Sequence, residues 1–170
     1  VEQCFQTALS QKLKVDFLGD EEWYLGMKFD WNTSSNGSVT CRISQEGYAA
    51  AIVEEMGLSN ANKSPLMTPF RSGLPIDTIP SIDMSAEERA PLTAKMQPGL
   101  GMINWLQMCT RPDLATIFFL LATHMHKPSP GHIEAVKHLG KYILSTMDLG
   151  LQFSSKPNST LESFIHFPLS

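Results

Sequence analysis

The sequence predicts an α+β fold: a small antiparallel β-hairpin with flanking helices, followed by a mostly helical lobe. Three observations lead there. Trp23, Leu25, Met27, Phe29 and Trp31 fall at every second position, polar "NTSSNGS" follows, and "VTCRIS" returns as another run of strand character; that is the pattern of two strands joined by a turn. From Ser85 onward the apolar spacing changes to three and four residues, with capping residues where helices would begin. Between these regions Pro65, Pro69, Pro75 and Pro80 recur at intervals of four to six. Each proline removes a backbone donor and restricts its predecessor, so an extended crossing segment is expected there.

Taken in order, residues 2–13 are expected to form a short helix with Phe5, Leu9 and Leu13 on one face. The alternating run over residues 23–31 is expected to be one strand with an apolar face. Gly26 in its middle marks either a bulge or a place where another backbone comes close. A helix over residues 48–56 would bury Ile52, Val53 and Met56 and stop at Gly57. In the second half, Ser85 with Glu88 three residues on has capping-box spacing, and a helical stretch around "GLGMINWLQM" would turn Met102, Ile103, Trp105 and Leu106 inward. Pro112 opens the next helix, with Thr110 or Arg111 as its cap. Leu114, Ile117, Phe118, Leu121 and Met125 form its stripe, and Pro128 ends it. Pro130 opens the last helix, with Ile133, Val136, Leu139, Gly140, Ile143 and Leu144 on one side and Glu134, Lys137, His138 and Lys141 on the other. The chain thereby divides into residues 1–60 with the hairpin, a connecting segment over 61–84, a helical lobe over 85–153 and a tail over 154–170.

Composition narrows the function classes. With 170 residues and 42% hydrophobic content the chain can bury one core of ordinary size. The valine at position 1 and the apolar run at the other end predict a fragment of something longer. Net charge is -4, but residues 111–142 carry Arg111, Lys127, Lys137 and Lys141 against Asp113 and Glu134, so a polyanion would be met locally. Three widely spaced cysteines, Cys4, Cys41 and Cys109, form no CxxC pair, which fits a reducing intracellular compartment and neither a disulfide framework nor a zinc ribbon. The most apolar stretch, "LATIFFLLA", has nine residues, well under the roughly 20 that span a bilayer, so no membrane partner is expected.

Catalytic and metal-binding patterns are sparse. His124 and His126 are two apart, which on a helix separates them by about 200°, so they cannot share one ion; capping or solvated roles fit the histidines better. No GxSxG, GxxxxGK[ST] or GxGxxG pattern occurs. The carboxylates of "GDEEW" look like a solvated turn before a strand.

In order, "VDFLGDEEWYLGMKF", "ISQEGYAAAIVEEMGLSNANKSPLMTP", "GMINWLQMCTRPDLA" and "PSPGHIEAVKHLGKYILSTMDLGLQF" resemble the second half of the reverse transcriptase of copia-type long-terminal-repeat retrotransposons, covering about residues 2–153. The resemblance implies a stretch after the YxDD motif and before ribonuclease H. Residues 1–60 would be the end of the palm, and residues 85–153 a thumb-like lobe. Trp23, Tyr24, Leu25 and Gly26 would be a primer-grip-like hairpin, with Gly26 permitting close approach. Lys137, His138 and Lys141 would be thumb contacts to nucleic acid. The implied partners are an RNA–DNA hybrid or template–primer duplex, together with the palm, fingers and ribonuclease H regions of the same polyprotein. The implied setting is intracellular, either a cytoplasmic virus-like particle or the nucleus.

The sequence contains no YxDD. Two-metal phosphoryl transfer needs such carboxylates, so no cofactor is expected in this chain, Mg²⁺ belongs to the complete parent enzyme, and the chain alone should not polymerise. Met96 and Pro98 depart from the family pattern, and Pro98 is expected to interrupt or restart the helix there. The alternative from another class is a non-enzymatic helical interaction domain derived from a transposon remnant, which would expose an apolar patch on the helical lobe.

Overall fold

The computed structural model describes residues 7–15, 22–61, 64–70, 84–155 and 162–164. The architecture is α+β, as the sequence predicts. Five strands form one antiparallel sheet in the order β1 (Trp23–Tyr24), β2 (Met27–Thr33), β3 (Val39–Ser44), β4 (Gly150–Ser155) and β5 (Glu162–Phe164). Between β3 and β4 run α1 (Glu46–Glu55), α2 (Ala86–Cys109), a 3₁₀ turn at Pro112–Leu114, α3 (Ala115–Thr123) and α4 (Pro130–Ser145). The helical lobe is therefore an insertion between two neighbouring strands, and Ser44 at its entrance pairs with Gly150 at its exit. Of the first expected helix, residues 7–10 are helical, and Phe5 lies outside the described residues. Of the connecting segment, Pro75 and Pro80 also lie outside them.

The run over residues 23–31 is not one strand. Leu25 and Gly26 both have positive φ, 50° and 79°, and close a two-residue hairpin turn in which Tyr24 faces Met27 and Trp23 faces Lys28. Positive φ at both central residues gives a twist that matches paired strands. Gly26 is required by its backbone angle; a β-carbon there would meet nothing within 4 Å. Residues directly opposite share a face of the sheet, so the turn reverses the parity of the alternation. Trp23 goes with Lys28 and Asp30, while Tyr24 joins Met27, Phe29 and Trp31.

α1 ends as its sequence suggests. Gly57 sits at φ 68°, its N–H bonds the Glu54 carbonyl, and the Leu58 N–H reaches back to Val53 at 2.9 Å, the paired closure that a glycine past the helix end allows. The side chains that follow are put to use: a β-carbon at Gly140 of α4 would lie 2.5 Å from Leu58 Cδ1 and 2.7 Å from Met56 Cε. The missing side chain on α4 thus lets the end of α1 pack closely against it.

α2 begins at Ser85, whose Oγ accepts the Glu88 N–H at 3.2 Å while the Glu88 carboxylate accepts the Ser85 N–H at 2.9 Å. It then runs unbroken for 24 residues, through Pro91 and Pro98, so the expected break at Pro98 does not occur. A proline inside a helix costs about 3 kcal/mol. Here both prolines lie on the exposed side, as do Glu87 and Ala94, whose carbonyls lose their partners. Water can satisfy those carbonyls. On the opposite side Met96, Leu100, Ile103 and Leu106 are fully buried, each contributing roughly 1.5–3 kcal/mol, which outweighs the two interruptions. Trp105, expected inward, is exposed; it falls on the solvent side of the stripe that Ile103 and Leu106 define.

Ile117, Phe118 and Leu121 form the buried side of α3, and Leu114 precedes them in the 3₁₀ turn. The helix stops at Thr123, five residues ahead of Pro128, so Met125 is half-buried in the turn that follows. On α4, Val136, Leu139, Gly140, Ile143 and Leu144 are buried, as the sequence predicts. Together α1 to α4 and the 3₁₀ turn hold one cluster of buried apolar side chains, and none of its members comes from a described strand.

Candidate nucleic-acid interface

The residues singled out in the sequence fall into two groups on separate elements, which make no extensive packing with each other. The first is the β1–β2 turn. Trp23 and Tyr24 of β1 and Leu25 of the turn are 59%, 56% and 61% exposed, a concentration of apolar surface at this end of the hairpin. Among the described strands they sit at one edge of the sheet, where β1 pairs only with β2. The second group lies on the outer side of α4. Lys141 is exposed. Lys137 is exposed and paired with Glu134 at 2.7 Å. His138 is half-buried, its Nε2 3.3 Å from the Thr68 carbonyl oxygen, so it tethers the connecting segment as well as facing outward.

Two further surfaces are apolar; for the second, the sequence predicts an exposed patch on the helical lobe only under the interaction-domain alternative, without marking which residues form it. One face of the sheet carries Phe29, Trp31, Val39, Cys41, Ile43 and Phe153 around an open apolar groove of about 420 Å³. Burial pushes the Cys41 thiol above its ordinary value, and the nearby Asp30 adds to the rise, so this cysteine stays a neutral thiol rather than a nucleophile. The alternation within β2 and β3 was visible in the sequence; that β4 would extend the same face was not. On the helical lobe, Met108 and Phe119 are largely exposed and Trp105 partly so.

The "TRPD" and "PSPGH" segments prove to be internal supports. Arg111 is 1% exposed; it donates to both Asp113 oxygens at 2.9 and 2.8 Å and to the carbonyl and hydroxyl of Thr146 at 2.8 and 2.9 Å. The Tyr142 hydroxyl donates to the same Asp113 carboxylate at 3.0 Å. Burial, and then the Asp113 charge, raise the Tyr142 pKa. The Thr110 hydroxyl donates to Gln45 at 2.9 Å. This ties the start of α1 and the ends of α2 and α4 together, with Arg111 placed at the α4 C-terminus, where a cation is favoured. At the other end of α4, His132 Nδ1 accepts the Ser129 N–H at 3.0 Å. Its ring also stacks on His124, 4.2 Å between centroids.

Among the described residues no three or more His, Cys, Asp or Glu side chains gather where they could hold a metal ion. Among the same residues, no helix is long and apolar enough to cross a membrane.

The chain is similar to retrovirus-related Pol polyproteins of plant transposons, at modest identity. It is 27% identical to that of transposon TNT 1-94 from Nicotiana tabacum over 139 residues, 81% of this chain and 10% of the polyprotein. For transposon RE2 of Arabidopsis thaliana the identity is 26% over 152 residues, 89% of this chain and 9% of the polyprotein. An uncharacterized mitochondrial protein of Arabidopsis thaliana is 22% identical over 156 residues, 92% of this chain and 59% of that protein. The chain thus spans about a tenth of the polyproteins that it matches. No family model matches it, and no solved structure matches it.

Proposed function

We propose that this chain is the template–primer-holding part of a copia-type retrotransposon reverse transcriptase, from the end of the palm through the thumb. The observation that carries the proposal is the β1–β2 turn, which holds Trp23, Tyr24 and Leu25 in solvent with Gly26 closing it. Exposed aromatic side chains on a tight turn can press against a sugar or base edge, and the turn needs no sequence-specific contact to do so. The order of the four motifs and the similarity to transposon Pol polyproteins over most of the chain support the same reading.

In this role the chain binds and orients an RNA–DNA hybrid, whose wide minor groove favours recognition by shape and 2′-hydroxyls. Lys141, with Lys137 and His138 beside it, supplies the phosphate-facing side of the helical lobe. Polymerisation itself would need the Mg²⁺-holding carboxylates of the parent enzyme, and the chain acts without them as a holder. Its partners are then the other regions of the polyprotein, inside the cell, in virus-like particles or the nucleus.

Fluorescence anisotropy with a labelled RNA–DNA hybrid at 50 and 200 mM salt tests this. Binding at low salt that weakens steeply at high salt, and that is lost in Trp23→Ala/Tyr24→Ala, supports it; no binding at 50 mM salt refutes it.

A second reading, a non-enzymatic helical interaction domain, is favoured by the exposure of Met108 and Phe119 on the helical lobe. It predicts no affinity for the hybrid, and self- or partner association that Met108→Lys/Phe119→Lys abolishes.

A further inference from the structure

His132 is held in an arrangement that tolerates only its neutral form. The ring is 1% exposed. Its Nδ1 accepts the backbone N–H of Ser129, and a backbone N–H can only donate, so Nδ1 carries no proton and Nε2 does. Nε2 in turn is buried and has no hydrogen-bond partner among the described residues. The histidine stands where a glutamate or glutamine completes a capping box, reaching back from the first turn of α4 to the residue before it. The His124 ring, at the C-terminal end of α3, is stacked on it.

A proton has one place to go, onto Nδ1. The Ser129 N–H would then face an N–H, and the bond that closes α4 at its start is lost. Ser129 Oγ, 2.9 Å from Nδ1, can accept from the protonated ring but leaves that N–H stranded. The new charge would lie in a buried position beside a second histidine. Among the described residues, burial and His124 are the influences acting on the ring, both opposing its charge, and no carboxylate of α1, α2, α3 or α4 offsets them.

We propose that Ser129, His132 and His124 form an acid-sensitive latch, which holds the first turn of α4 against the end of α3 when neutral and releases it when His132 takes up a proton. The latch is independent of whether the helical lobe meets nucleic acid. It would, however, make the placement of Lys137 and Lys141, one to two turns further along α4, dependent on pH.

The sign follows from the direction of the shift. The ring binds its proton less readily in the closed protein than the ordinary histidine value of 6.5, so the closed form is fully favoured above that value. It loses ground as pH falls from there to the lower closed-state value, with opening rising about tenfold per pH unit for one proton.

Amide hydrogen exchange of the full chain, corrected for intrinsic rates, tests this with His132→Gln beside the wild type. Gln can accept the Ser129 N–H and does not titrate. In the wild type, protection at Ser129, His132 and Ile133 is expected to fall about tenfold per pH unit within that window, while in His132→Gln it stays level. Flat protection in the wild type, or an equal fall in both proteins, overturns the proposal. Should His132→Gln fail to fold, ring NMR of the wild type decides. A His132 that is unprotonated at Nδ1 at neutral pH and titrates in step with the loss of protection upholds the latch. One that titrates at the ordinary value without that loss overturns it.

Discussion

Arg111 and Asp113 form a two-bond ion pair inside the protein, with side chains 2% and 8% exposed. Two charges removed from water are costly, and their mutual attraction offsets that cost only when the remaining donors and acceptors are also matched. Here they are: Thr146 takes two of the guanidinium's bonds, and Tyr142 gives one to the carboxylate. Removing one partner leaves the other charge stranded.

Arg111→Ala is therefore expected to lower unfolding free energy by about 3–5 kcal/mol, against roughly 0–1 kcal/mol for a surface pair. Lys137→Ala, whose partner Glu134 is exposed, serves as the comparison. Arg111→Lys should recover only part of the loss, because an ammonium cannot make the forked contact. Urea unfolding of the three variants measures this, and a loss under about 1 kcal/mol for Arg111→Ala would show that the pair is not structural.

The β1–β2 turn gives a local prediction. An L side chain at φ 79° is strained, so Gly26→Ala should weaken the hairpin by about 1–2 kcal/mol. Leu25, also at positive φ, occupies a position where asparagine is preferred. Leu25→Asn should leave the hairpin as protected or better, since asparagine relieves the strain. Amide exchange at Phe29, whose N–H bonds the Glu22 carbonyl at 2.9 Å, reports both. Slower exchange in Gly26→Ala than in the wild type would contradict the assigned turn.

These two regions differ in how far the sequence revealed them. The capping box at Ser85 and Glu88, the proline opening α4 and the strands β2 and β3 were all legible, because each depends on residues within a turn or two of one another. The Leu25–Gly26 turn was hidden because aromatic and aliphatic residues continue across it, and a two-residue turn leaves no polar gap. The pairing of β3 with β4 joins Ser44 to Gly150 across the whole helical insertion, and nothing local encodes it. Arg111 was visible as part of a motif, yet a lone arginine before a proline gives no sign of burial; only its Asp113, Tyr142 and Thr146 partners explain it, and two of those lie a helix away. The candidate contact residues, in contrast, were found from position alone: Lys137 and Lys141 do lie on the solvent side of α4.

Glu88 offers a pH test at the start of α2. The Ser85 N–H and hydroxyl bond its carboxylate or its backbone, and the hydrogen bonds from Ser85 hold its pKa below the ordinary value of 4.5. The lowered value means that the contribution is present above the ordinary carboxylate range and is lost as pH falls through the folded-state value. NMR titration should find Glu88 below the ordinary carboxylate value. Ser85→Ala keeps the backbone N–H that bonds the carboxylate, so Glu88 should rise only part of the way to its ordinary value, while the lost cap costs about 0.5–2 kcal/mol. An unchanged Glu88 titration in Ser85→Ala would mean that the box does not persist in solution.

The two lysines of α4 separate a phosphate contact from a surface ion pair. If the helical lobe meets a duplex through this face, Lys141 can neutralise a phosphate directly, whereas Lys137 must first leave Glu134. Each phosphate neutralised contributes about 0.9 to the slope of log affinity against log salt. Lys141→Ala is thus expected to reduce that slope by about one, almost independently of the hybrid's sequence. Lys137→Ala should change the slope less and weaken binding at low salt, because it removes a positive charge that sits beside the Glu134 carboxylate. Glu134→Gln reverses that effect by freeing Lys137, and should tighten binding at low salt. The comparison is made by titrating one labelled hybrid into the wild type and the three variants across 50–200 mM salt. Equal slopes for wild type and Lys141→Ala would remove this face of α4 from the interface, leaving the β1–β2 turn to account for any binding that remains.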